Sequence, residues 1–78
     1  MTCQLLHRID PSEFMARFYR VEMATDLFGV ITLERRWGRI GAGGQYRLTS
    51  YPSRILAEGA ALRLIRGKER RGYRAVGP

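Results

Sequence analysis

Chemistry that needs clustered side chains has little to work with in these 78 residues. Cys3 is the only cysteine and His7 the only histidine. One cysteine excludes an internal disulfide and any zinc site built on thiolates. One histidine leaves a Ser-His-Asp triad or a zinc site without its partners. Acids are scarce too: Asp10, Glu13, Glu22, Asp26, Glu34, Glu58 and Glu69 are scattered, with no paired-carboxylate spacing. No catalytic residue, metal ligand or cofactor is expected, and the chain does not read as an enzyme. No apolar run approaches the roughly 20 residues of a membrane span. The N-terminus lacks the apolar stretch and cleavage site of a secretory signal. The expectation is a cytoplasmic protein, with nucleoid association compatible with its charge.

What is present is arginine and a moderate apolar content. Fourteen Lys and Arg face seven Asp and Glu, a formal net charge of +7, and thirteen of those fourteen are Arg. The excess is lopsided. From Arg54 onward seven basic residues (Arg54, Arg63, Arg66, Lys68, Arg70, Arg71, Arg74) face Glu58 and Glu69, a net of +5. The first 53 residues carry the remaining +2. One-sided positive charge is the electrostatic footprint of a polyanion binder. Hydrophobic residues make up 45%, enough for a packed core rather than a disordered chain. The length allows a single small domain, 1–78, burying only about 60% of the surface its unfolded chain exposes.

Periodicity organises this domain into strands and one helix. Cys3 to Ile9 suits a short strand, ended by Asp10-Pro11-Ser12. Arg17 to Met23 alternates, with Tyr19, Val21 and Met23 on one side and Phe18, Arg20 and Glu22 on the other. Thr25 to Gly29 reads as a loop. Val30 to Trp37 places Ile31, Leu33, Arg35 and Trp37 on one face and Thr32, Glu34 and Arg36 on the other. Gly38, Gly41, Gly43 and Gly44 follow, and Gln45 to Tyr51 resumes alternation, so a hairpin is expected. Ser53 is placed to cap a helix of about residues 53–70, without a capping box because Leu56 stands where Glu or Gln is needed. Leu56, Ala57, Ala60, Ala61, Leu64 and Ile65 form its apolar stripe. Ile55 and Leu62 fall off that stripe and are expected against a neighbouring strand. Gly59, costly inside a helix, suggests a close backbone. Gly72 is a natural stop, and Tyr73 to Val76 suits a brief closing strand. The predicted class is α+β: a small antiparallel sheet of four to five strands with one helix on one face.

The run Glu34-Arg35-Arg36-Trp37-Gly38-Arg39-Ile40-Gly41 is the most specific feature. It holds the only tryptophan, among three arginines. A broad apolar plate beside a fork of N–H donors suits a sugar-phosphate chain. The glycines do not make a phosphate loop: Gly-Lys-Ser/Thr opening a helix is absent. With its neighbours, this run resembles the WGR domain, named for Trp-Gly-Arg. The similarity includes Arg17-Phe18-Tyr19-Arg20-Val21, Trp37 to Gly41, Tyr51-Pro52-Ser53, Ala57, and Lys68 followed by Gly72-Tyr73, covering about residues 17–74. Ala61 departs from it, since the family often carries a larger apolar residue there.

The resemblance implies a module best known in poly(ADP-ribose) polymerases, where it senses DNA ends. It would assign Trp37 to a terminal ribose and Arg39 to phosphate or a partner domain. It implies no polymerase activity, since no catalytic domain is present. From the residues themselves, Trp37 has two roles open to it, core anchor or stacking plate, and Arg39 is either a phosphate contact or a solvated turn residue. Gly38 allows close backbone approach between them. Arg35 and Arg36 diverge by alternation; Arg35 is a candidate to bridge to Glu22. Lys68, Arg70, Arg71 and Arg74 form a basic end to the helix, and Tyr73 either packs on the core or offers its hydroxyl to phosphate. The expected DNA-binding set is Trp37, Gly38, Arg39, Arg36, Lys68, Arg70, Arg71 and Tyr73, with DNA favoured over RNA and no sequence preference. The alternative is a protein-interaction module using the same Trp-Arg surface. An unpaired sheet edge near the N-terminus would support a dimer.

Overall fold

The computed structural model describes residues 3–77. Five strands form one antiparallel sheet: β1 (Cys3–Asp10), β2 (Met15–Thr25), β3 (Ile31–Arg39), β4 (Gln45–Tyr51) and β5 (Arg74–Ala75), in the order β4-β3-β2-β1-β5. One helix, α1 (Arg54–Arg70), lies on one face and carries the chain from the β4 edge to the β5 edge. Its 17 residues span about 25 Å, against about 19 Å for the four interstrand steps it crosses. The α+β arrangement read from periodicity is therefore the fold.

Alternation decides which residues meet the helix. Tyr19, Val21 and Met23 of β2, Ile31 and Leu33 of β3, and Leu6 of β1 are buried with Ala57, Ala60, Ala61 and Tyr73. Three alanines let the helix sit close to the sheet, and Trp37, Tyr51, Leu64 and Ile65 pack around the edge of this core. Ser53 caps α1 by accepting the Leu56 N–H at 3.3 Å. At the other end Gly72, at φ +96°, donates to the Glu69 carbonyl, and Tyr73 N–H donates to Lys68. That pair of bonds is a Schellman motif, and it brings Tyr73 back over Lys68.

Several local expectations are corrected. Ile55 and Leu62 are exposed, so neither is buried against a strand. A side chain at Gly59 would meet only the Arg63 guanidinium, at 3.6 Å, so no close backbone accounts for that glycine. Arg35 does not bridge to Glu22: β3 pairs with β2 so that Arg35 faces Val21 and Glu22 faces Glu34, which puts the two on opposite faces. Arg20 holds both acids instead, at 3.1 Å to Glu22 and 3.4 Å to Glu34. The N-terminal strand is covered on its outer side only in part: β1 pairs with β2 along its length, but β5 meets it at Leu6 and His7 alone. β3 also runs two residues beyond Trp37, with Gly38 and Arg39 still paired to Phe18 and Arg17.

The β3–β4 turn depends on glycine at a close approach. A Cβ on Gly44 would lie 2.3 Å from the Trp37 carbonyl oxygen and 2.9 Å from the Phe18 ring, at φ +75°. Gly38 is crowded too: a Cβ there would lie 2.8 Å from the Gly44 Cα. Gly41, at φ +94°, has nothing within 4 Å. Gly44→Ala should therefore cost about 1–3 kcal/mol more than Gly41→Ala, since both share the backbone penalty and only the first adds overpacking. Thermal melts of the two variants check this, and equal melting temperatures would contradict it. The β1–β2 turn carries a pH signature. Ser12 donates both its hydroxyl (2.6 Å) and its N–H (3.1 Å) to Asp10 Oδ1, and the hydroxyl bond is the main reason Asp10 sits below the ordinary carboxylate value of 3.8. A lowered carboxylate stabilises the folded turn above the unfolded pKa, and that contribution is lost as pH falls through the folded one. Ser12→Ala should raise the Asp10 midpoint in an NMR titration; an unchanged midpoint would refute the hydroxyl's role.

Candidate nucleic-acid interface

The two faces of the sheet carry opposite electrostatic designs. On the open face, away from α1, Arg20 faces Arg36 and Glu22 faces Glu34 across β2 and β3. Diagonal ion pairs neutralise these rows: Arg20 to Glu22 and Glu34, and Arg36 to Glu34 at 3.5 Å. On the helix side Arg17 faces Arg39 and Arg35 faces Arg47. Like charges directly opposite one another oppose folding. Among the described residues none of these four has a carboxylate partner; every ion pair lies on the open face or, for Arg54–Glu58, in the first turns of the helix.

The helix C-terminus adds to this charge. The Lys68 ammonium stands 4.8 Å from the Tyr19 ring centre and 5.3 Å from that of Tyr73. The two rings meet edge to face, 6.5 Å apart. Burial pushes Lys68 below the ordinary lysine value, and the positive charges of Arg71, Arg17 and Arg35 push it the same way. Those three arginines and Lys68 thus form one electrostatic group. Burial against the core also raises the Tyr19 phenol, with the Arg35 guanidinium opposing. Arg63 and Arg71 flank a shallow recess of about 210 Å³ with Leu64, Gly67 and Lys68. Next to it a cleft of about 310 Å³ opens between helix and sheet, lined by Leu33, Arg35, Thr49, Tyr51, Ala60, Arg63 and Leu64. The small Ala60 side chain leaves that cleft its depth.

Trp37 sits at the border of core and solvent. It is half-buried, packed against the edge of the core, in a row with Tyr19 and Gln45. Arg39 lies one rung further out, exposed, on the same side. Gly38 points to the other face, where its missing side chain admits Gly44 and the Phe18 ring. Lys68 joins the Trp37 side through the Tyr19 ring, and Arg71 lies beside Lys68 at the recess. Tyr73 is buried and supports Lys68 from below. Arg70 is exposed, two positions from Lys68, an offset that turns it away around the helix. Arg36 is on the open face, donating to the Gly43 carbonyl at 3.2 Å and stacking over Tyr46 at 5.1 Å. It braces the hairpin rather than joining the Trp37 side.

Sequence reasoning overlooked Arg17 and Arg63. Arg17 was legible: two positions before Tyr19, it shares the Tyr19 face by simple alternation. Arg63 was not, because its position beside Arg35 depends on where the helix crosses the sheet.

Among the described residues no three of His, Cys, Asp and Glu come together to hold a metal, and no helix is long and apolar enough to cross a membrane. No solved structure matches this chain. A curated relative, the uncharacterized protein y4dW of Sinorhizobium fredii, is 44% identical over 69 residues, covering 88% of this chain. The chain spans about a third (34%) of that relative's length. The WGR domain family model matches residues 2–78. An indole at the rim of the core, an exposed arginine one rung beyond it and a match across nearly all residues lead to one conclusion: the chain belongs to the WGR domain family.

Proposed function

We propose that this chain binds DNA without sequence preference, through the helix-side end of its sheet, and that it favours strand ends or breaks. WGR domains are known as nucleic-acid-binding modules of poly(ADP-ribose) polymerases, a background that favours this reading. The observation that carries it is the uncompensated charge. Arg17, Arg35, Arg39, Arg47, Arg63, Lys68 and Arg71 share one side, while the ion-paired carboxylates lie elsewhere. Facing arginines that repel one another cost stability, and a bound polyanion offsets that cost. Arg39 and Arg17 hold phosphates at the outer rung, Lys68 and Arg71 hold them at the helix end, and the exposed edge of Trp37 packs on sugar between them. Arg70 extends the field along the helix. Phosphate contacts position the protein but read no bases. A module of this kind performs no chemistry by itself.

Fluorescence-anisotropy titrations against intact, nicked and single-stranded DNA test the reading. Binding should weaken steeply with salt, and Arg17→Ala and Arg39→Ala should each lower the salt slope by about one. Neither should melt below wild type, because each removes half of a repelling pair. Arg54→Ala, which removes an ion-paired arginine, should leave the slope unchanged. Failure of the wild type to bind any of the three DNAs at about 50 mM salt would remove the proposal. The competing idea, an acidic protein docked on the same surface, predicts capture of a partner that survives nuclease treatment.

Lys68 offers an independent readout, being the only lysine. In the free protein its NMR midpoint should lie below the ordinary lysine value, as its burial and cationic neighbours require. Phosphate favours the charged form, so DNA should move that midpoint upward. A midpoint unmoved by saturating DNA would place Lys68 outside the contact.

A further inference from the structure

The turn between β1 and β2 holds an aromatic ring with no packing role. Phe14 is 97% exposed, and its backbone lies at φ +52°, the one positive value on a non-glycine residue among those described. A bulky side chain is strained there. The turn enforces it: Pro11–Glu13 form a short 3-10 helix, Asp10 caps it through Ser12, and Phe14 N–H donates to the Pro11 carbonyl at 3.3 Å. Glycine or asparagine would take this conformation more readily. Phenylalanine suits neither the backbone nor the exposure.

The neighbours of the ring indicate what it meets. Phe14 lines a recess of about 240 Å³ with Glu13, Met15, Ala16, Arg17 and Arg39. Ile40 N–H donates to the Ala16 carbonyl at 2.9 Å, which ties the β3–β4 turn beside this one. Along the sheet the Tyr19–Trp37 rung is followed by Arg17–Arg39, about 7 Å further out, and then by the Phe14 tip. Glu13 is the acid in the recess, and none of the ion pairs among the described residues includes it. Exposure alone would decide nothing, since Leu27 and Phe28 are 99% and 90% exposed on the β2–β3 turn. That turn stands at the opposite end of β2, is ordered by Asp26, and contains no basic residue.

We propose that Phe14 stacks on the terminal base pair of an open duplex end while Arg17 and Arg39 hold the adjoining phosphates. The inference rests on the DNA reading of the basic side and specifies how an end is told from a continuous duplex. Every base presents a π-face, so stacking adds affinity without sequence preference. Only at an end is a base pair free on one side; in the interior a wedge must first unstack a step. The strained backbone holds the ring clear of the sheet, beyond the arginine rung.

The test uses two duplexes of identical sequence, one open at both ends and one closed at both ends by non-nucleotide linkers. Wild type should bind the open form at least about fivefold more tightly. Phe14→Gly should abolish that preference while keeping wild-type affinity for the closed form, and should melt no lower than wild type because glycine accepts φ +52°. Phe14→Trp, with a larger plate, should keep or sharpen the preference. Phe28→Ala, which removes an equally exposed ring from the other tip, should keep it. A Phe14→Gly protein that still prefers open ends, or a wild type that binds both forms equally, overturns the stacking role and leaves DNA binding standing. A wild type that binds neither duplex overturns both.

Discussion

The register in which Tyr19 faces Trp37 across β2 and β3 is the constraint on which the rest depends. Strand side chains alternate strictly, so this one pairing assigns every other residue of the two strands to a face. It sends Val21, Met23, Ile31 and Leu33 under the helix, and it puts Arg17, Arg35 and Arg39 on the same side of the sheet. It sends Arg20, Glu22, Glu34 and Arg36 to the open side. A slip by one residue would bury the ion-pair network and expose the core. Burial therefore fixes the register, and the register places the arginines.

Core and candidate interface are continuous rather than separate. Tyr19 belongs to the buried cluster and is also a ring against which Lys68 rests. Trp37 packs on that cluster with one side and meets solvent with the other. Tyr73 arrives by the Schellman turn at Gly72, so helix termination itself sets the position of Lys68. A charge held on two aromatic rings within reach of three other cations is fixed in place before any ligand arrives. Preorganisation of this kind lowers the ordering cost of binding. The small alanine contacts of α1 bring the helix end near the sheet without filling the space beside it, which leaves the cleft at Arg35 and Arg63.

Two exposed aromatic tips stand at opposite ends of β2 and differ in their electrical surroundings. Each tip is closed by an aspartate, Asp26 at Phe28 and Asp10 at Phe14, but the Phe14 ring shares its recess with two arginines. Their chemistry diverges although their hydrophobicity does not. The contrast shows why apolar exposure needs its neighbours before it says anything about a ligand.

Local chemistry was legible in the sequence. Period-two alternation marked the inward residues of β2 and β3, Ser53 and Gly72 marked the helix ends, and the Trp-Gly-Arg run marked the end of β3. Those signals are short-range, carried by backbone propensity and by which side of a strand a residue takes. Which residues share a surface was not written there. Arg36 adjoins Trp37 in the chain yet lies through the sheet from it, and Arg63 is 28 positions from Arg35 yet lines the same cleft. Exposure of Ile55 and Leu62, and the short pairing of β5 on β1, followed from the crossing of the helix and the path of the chain after it. Those outcomes depend on contacts between residues distant in the chain, and only the assembled fold brings such residues together.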